Sequence, residues 1–321
     1  MSILVSVLLW IVSVLAIAIA LRKVNQDIDE AKVPLMGVLA AVIFAGQMLN
    51  FTVVGGTSGH LMGAAIATIL LGPWAAVLVM ISVVSIQALI FQDGGLLVLG
   101  ANIFNMALIG VAVSFFVYGT IRGLAGNRRW GIVAGGFAAA WFSIMAAALA
   151  TALELALSGT SPANIAVPAM AGIHALIGIG EGLITIGALG LVYAVRPNLL
   201  VAGGERSKSK SAIWLAGLAI ALVLAIAAPL ASLNPDGLEW VAEQQGFISL
   251  AQEPLYKIIP DYLLPGVSSE ALATIIAGIF GAVLVFGVVL FVAYSRRKLP
   301  ELSNPVAERP PLVERTSGTA R

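Results

Sequence analysis

The sequence predicts an all-α polytopic membrane protein, a seven-helix bundle followed by two C-terminal transmembrane helices. Three observations carry that reading. Hydrophobic residues make up 60% of the chain and charged residues only 10%, whereas a soluble domain is about one-quarter charged. Apolar stretches long enough to cross a hydrocarbon core of roughly 30 Å recur along the chain. Sixteen of the seventeen lysines and arginines fall in four polar segments, 22–33, 120–130, 195–212 and 295–321. Such clustering marks cytoplasmic loops.

The first span, 3–21, has no basic residue before it and is followed by Arg22 and Lys23. That order fits a retained span entering the cytoplasm, not a cleaved signal peptide. In the second, 34–54, Gly37, Ala41 and Ala45 place a small residue at every fourth position, where helix backbones can approach closely. The stripe reads either as packing within the chain or as a docking face for a partner membrane subunit. The third stretch, 59–71, covers only about 20 Å as a helix. It is read as separate from 73–91 because placing 22–33 and 120–130 on one side requires an even number of crossings between them, hence a turn at Gly72-Pro73. Spans 100–119, 131–157 and 168–195 complete the seven.

Residues 196–212, rich in Pro, Gly, Ser and charge, form a cytoplasmic linker between domain 1–195 and a two-span module, 213–294. Spans 213–231 and 271–294 of that module enclose an outer loop, 232–270, with six acidic residues and one basic, Lys257. Its "NPDGLEW" at 234–240 contains a Pro-Asp-Gly turn. The polar, proline-rich tail 295–321 is expected to be disordered. The protein is thus placed in the cell membrane, multi-pass, with the N-terminus outside and the tail in the cytoplasm.

On this topology the "GGTSGH" loop at 55–60, the "FQDGG" loop at 91–95 and loop 232–270 share the outer side. A half-length helix with glycine-rich flanks must be buried in protein or line a cavity, so the outer face of the first seven spans is where a site is expected. His60, one of two histidines, is the first candidate ligand, because Gly55, Gly56 and Gly59 free the backbone to turn the imidazole into a crevice. The alternative is a ring satisfied by Thr57 or Ser58. His174 lies seven residues before Glu181, on the same helical face, as a second ligand, a proton path or a packing hydrogen bond. Glu181 needs a partner if buried, and His174 or an amide is the expected one. Asp93, Asn102 and Asn105 add polar groups nearby, although Asp93 before two glycines is equally a turn residue. Gln47 and Asn50 end the second span.

The chain has no cysteine, which excludes disulfides, thiolate catalysis and zinc–cysteine sites. A bound transition metal must use nitrogen or oxygen ligands. A phosphate-binding GxxxxGK[ST] loop does not occur, nor HExxH or GxSxG, so no enzyme activity is expected. Energy for uphill transport would come from ion coupling or a separate ATPase. No nucleic-acid partner and no prosthetic group are expected.

Four stretches carry a resemblance: "VPLMGVLAAVIFAGQMLNF", "GGTSGHLMGAAIATILLGPWAAVLVM", "IQALIFQDGGLLVLGANIFNM" and "HALIGIGEGLIT". Over residues 5–196 they resemble the CbiM/NikM family, substrate-capture components of energy-coupling-factor (ECF) transporters for cobalt or nickel. The segment 213–294, with "PDGLEW", is similar to the small CbiN/NikN-like (PDGLE) partner often fused to it. The resemblance implies a membrane metal-capture domain that takes Ni²⁺ or Co²⁺ from outside as transported substrate. It also implies an ECF coupling transmembrane subunit and cytoplasmic ATPase subunits as partners. His60 corresponds to the family's metal-binding imidazole, with Asn50, Ser58, Asp93, Asn102 and His174 as possible supporting groups. Family members begin Met-His-Ile-Pro-Asp-Gly and ligate the metal through the terminal amine, the second backbone nitrogen and that histidine. This chain begins "MSILVSVLLW"; the two explanations are a start codon assigned downstream of the true one, which is the expected one because the other motifs are intact, and loss of the high-affinity site. An ion-coupled transporter or channel-like protein is the alternative function.

Overall fold

A computed structural model describes residues 1–27, 32–126, 128–200, 211–251 and 254–295. The described chain is mainly helical: α1 (Ile3–Asp27), α2 (Val33–Gln47), α3 (Ala64–Leu71), α4 (Pro73–Ile86), α5 (Leu99–Asn102), α6 (Gly110–Ala125), α7 (Arg129–Leu157), α8 (Ala163–Val195), α9 (Ser211–Ala227), α10 (Gly237–Gln244) and α11 (Glu270–Ser295). Among the described residues six helical segments are long and apolar enough to cross a membrane: Ile3–Val24, Pro73–Phe91, Leu99–Ala125, Arg129–Leu157, Ala163–Val195 and Glu270–Ser295. Val33–Gln47 and Trp214–Leu230 are apolar but shorter. Residues 201–210 of the expected linker and 296–321 of the expected tail lie outside the described residues.

Local chemistry sets the breaks. Gly72 takes φ 85° and ψ 168°, and Pro73 opens α4, where its missing N–H costs no hydrogen bond. The Gly-Pro pair therefore turns the chain between α3 and α4. α3 has eight residues, about 12 Å of helix, and all but Ile69 are buried, so its short backbone is enclosed by protein as a membrane requires. Two segments relax into wider π-type turns, Gln87–Phe91 at the end of α4 and Ile103–Ile109 between α5 and α6. Such turns change which side chains share a face.

The all-α expectation fails at one place. β1 (Phe51–Val53) and β2 (Thr57–Gly59) form an antiparallel hairpin with Thr52 opposite Ser58. Its turn uses Gly55 at φ 98° and Gly56 at φ 80°, conformations open to glycine at little cost. Span 34–54 thus ends at Gln47, and the β-branched Thr52 and Val53 pair with the next strand.

α2 is the hub, packed on α4, α9 and α11. A side chain at Gly37 would press on Phe286 and Leu290 of α11, and Ala41 and Ala45 are 0% exposed. The small-residue stripe is therefore buried within the chain, with α11 against Gly37, which favours the packing reading over the docking one. α1 lies at the edge, tied to α5 by Ser13 Oγ donating to the Gly100 carbonyl at 2.7 Å. Its exposed Leu8, Ile11 and Leu15 suit lipid.

Candidate functional site

Between β2 and α3, residues 60–63 belong to no regular element and end at Gly63, with φ 80°, and several polar contacts fix their peptides. Met62 N–H donates to Glu181 Oε2 at 2.8 Å and Gly63 N–H to Oε1 at 3.0 Å. Gln47 Nε2 donates to the Met62 carbonyl at 2.8 Å. Glu181 is 0% exposed; of the two partners expected from sequence, His174 or an amide, it has amides, both from the main chain. A buried hydrogen bond contributes about 0.5–1.5 kcal/mol, and leaving either amide unpaired would cost about 1–3 kcal/mol.

His60 Nδ1 lies 3.1 Å from the Leu61 carbonyl. A carbonyl only accepts, so this bond puts the proton on Nδ1 and leaves Nε2 of the neutral ring with a free lone pair, the form that ligates metals. Neither Thr57 nor Ser58 satisfies the ring. His174 has the same arrangement, with Nδ1 2.9 Å from the Met170 carbonyl.

Ser58 and Thr57 instead hold the outer loop of the C-terminal part. Ser58 N–H donates to the Pro235 carbonyl at 2.8 Å, Ser58 Oγ to the Asn234 carbonyl at 2.9 Å and Thr57 Oγ1 to the Pro235 carbonyl at 3.1 Å. Ser232 N–H donates to the Asn50 carbonyl at 2.8 Å, and Trp240 Nε1 to the Gly55 carbonyl at 3.1 Å. Asp236 caps α10 by accepting from the Leu238 and Glu239 amides, and Glu239 completes the capping box, worth about 1 kcal/mol at such an N-cap. Gly237 is required by proximity: a Cβ there would sit 2.8 Å from His174 Cε1 and Ile177 Cδ1. The PDGLE turn thus lies over the hairpin and against His174.

Under this turn is a cavity of about 560 Å³ bordered by Met1, His60, His174, Asn102 and Asn105. Asp93, Glu154, Asp236 and Glu239 also line it, with no lysine or arginine among its described lining residues. Four carboxylates gathered in one cleft attract cations, and focusing of this kind speeds capture by a factor of about 10 to 10³. Asp93 accepts from Tyr262 OH at 2.6 Å; burial first, then the Asp93 charge, hold that phenol well above its usual range, so it stays a donor. Burial likewise raises the Glu239 carboxyl, helped by Asp236.

Of the sequence candidates, His60, Asp93, Asn102 and His174 meet at the cavity, while Ser58 and Asn50 serve the loop above it. Sequence reasoning missed Glu154, a lone carboxylate in an apolar span and therefore a functional candidate by position alone. It also missed Asp236 and Gly237 as site neighbours, having read them only as a turn. Among the described residues no three His, Asp or Glu side chains converge closely enough to hold a metal by themselves.

Residues 1–199 match the family model described as the cobalt uptake substrate-specific transmembrane region (CbiM), and residues 211–298 match the PDGLE domain. The protein named "Putative fused nickel transport protein NikMN" of Archaeoglobus fulgidus is 38% identical over 275 residues, covering 85% of this chain and 90% of that one. The cobalt transport protein CbiM of Sorangium cellulosum is 34% identical over 191 residues, 58% of this chain and 84% of that one. A crystal structure of a transition metal transporter superposes with a TM-score of 0.54 at 35% identity, covering 61% of this chain and 90% of that one. The chain belongs to the CbiM family of cobalt-uptake transmembrane proteins and carries a PDGLE domain fused behind it.

Proposed function

We propose that this protein is the substrate-capture membrane component of an ATP-driven nickel or cobalt importer, built as seven membrane helices plus two. The observation that carries the reading is His60, with Nδ1 committed to the Leu61 carbonyl and its ring at an acid-lined cavity. Imidazole nitrogen suits Ni²⁺ and Co²⁺, and the carboxylates draw divalent cations toward it. Since side chains alone supply too few ligands, the remaining positions go to water and main-chain nitrogen, and Met1 lines the same chamber. The cavity opens outward, the C-terminal tail is cytoplasmic, and the metal is cargo.

Energy comes from partners, an ECF coupling transmembrane subunit and cytoplasmic ATPase subunits, because this sequence has no phosphate-binding loop. The ion-coupled or channel-like alternative would use the same polar face with Glu181. Both Glu181 oxygens accept from main-chain amides, a positioning role for the loop that favours the capture reading.

His60→Ala is expected to abolish nickel or cobalt uptake in cells that supply the partner subunits, with membrane levels of the protein unchanged. Uptake at the wild-type rate would refute the ligand assignment.

A further inference from the structure

On the wall of the cavity formed by α7 and the Ile103–Ile109 turn is a polar cluster to which the His60 reading gives no ligand role. Asn105 is 4% exposed and Glu154 5%. Asn105 Nδ2 donates to Glu154 Oε2 at 2.9 Å and to Thr151 Oγ1 at 3.1 Å, and the Thr151 hydroxyl donates to the Ala147 carbonyl at 3.1 Å. Every side-chain donor of the cluster is therefore committed. Two acceptors remain, Glu154 Oε1 and Asn105 Oδ1, both buried and without a protein partner among the described residues. Flipping the Asn105 amide would set its oxygen against the Glu154 carboxylate, so this orientation is the favourable one.

Unmatched buried acceptors are costly, and a carboxylate without a cationic neighbour is more so. No lysine or arginine borders the cavity among its described lining residues. The π-type turn that carries Asn105 is a distortion that helices often reserve for functional positions. We propose that Glu154 and Asn105 form an oxygen-donor entry site, which takes a hydrated divalent cation in the same chamber as His60 before nitrogen ligands capture it. Oxygen donors suit a cation that keeps part of its water shell, and transfer to imidazole then selects nickel or cobalt over harder ions. The proposal rests on the reading of the chamber as a metal-capture site.

Mn²⁺, which prefers oxygen donors, is the probe, read by electron paramagnetic resonance on the full-length protein in detergent. His60→Ala should retain Mn²⁺ binding, and Glu154→Gln in that background should weaken it tenfold or more. In otherwise wild-type protein, Glu154→Gln should slow Ni²⁺ loading in stopped-flow several-fold. Asn105→Asp, which adds charge beside the orphaned oxygens, should tighten Mn²⁺ binding, and this opposite sign separates a cation site from a folding defect. Mn²⁺ binding indifferent to both substitutions would mean that the cluster holds water only, and would overturn the proposal. If wild-type protein binds neither Ni²⁺ nor Co²⁺, the capture reading itself fails. If it binds them through His60 while Glu154→Gln loads at the wild-type rate, the entry site alone fails.

Discussion

Glu181 shows at the residue scale how a buried side chain can hold a loop whose imidazole it does not bond. Its carboxylate accepts from the Met62 and Gly63 amides while Gln47 holds the Met62 carbonyl from the other side. The peptide two residues beyond His60 is thus fixed from α2 and α8 at once. Glu181→Leu would leave both amides buried and unpaired, at about 1–3 kcal/mol each. The expected result is a lower melting temperature and metal affinity reduced at least tenfold. Glu181→Gln keeps one good acceptor and should fall between that variant and wild type. Unchanged affinity in Glu181→Leu, by titration of Ni²⁺ into purified protein, would show that His60 does not depend on this clamp.

The hairpin and the PDGLE loop form the cover of the chamber at the scale of elements. Main-chain and side-chain bonds join residues 50–58 to 232–240, segments separated by about 180 positions. Thr52 Oγ1 and Ser232 Oγ are 3.2 Å apart, which makes the pair a candidate for an engineered disulfide. The protein has no native cysteine to compete. Thr52→Cys with Ser232→Cys should cross-link under mild oxidation, detected by mass spectrometry of the linked peptides. If the cover must lift to admit metal, the oxidised protein should take up nickel or cobalt several-fold more slowly, with recovery on reduction. Failure to cross-link would show that the loop does not rest on the hairpin. Gly237→Val tests the same contact from below, since its side chain would collide with His174 and Ile177; detachment of the loop should show as faster protease cleavage in 232–270.

On the scale of the whole molecule, hydropathy and basic residues located the helical stretches, because lipid leaves few other options for an apolar chain. The Gly72-Pro73 turn was legible from the even number of crossings that the basic segments require and from the Gly-Pro pair itself. The hairpin was hidden inside an apolar run whose Thr52-Val53-Val54 reads equally as the end of a span. Glu181 was recognised as needing a partner, but a main-chain amide leaves no mark in a sequence. Nor does any local pattern announce that residues 234–237 rest on Thr57 and Ser58. The cavity was thus half legible: His60 and His174 were named as candidates and border it, whereas the clamp, the cover and the Glu154 wall needed the fold.

The central claim is that divalent nickel or cobalt is captured in this chamber through His60. Calorimetric titration of Ni²⁺ and of Co²⁺ into purified wild-type protein and His60→Ala tests it most directly. The account predicts saturable binding of at least one of the two metals to wild type, and at least a tenfold loss of affinity in the variant, with the melting temperature of the metal-free protein unchanged. Equal affinity in both proteins would contradict it.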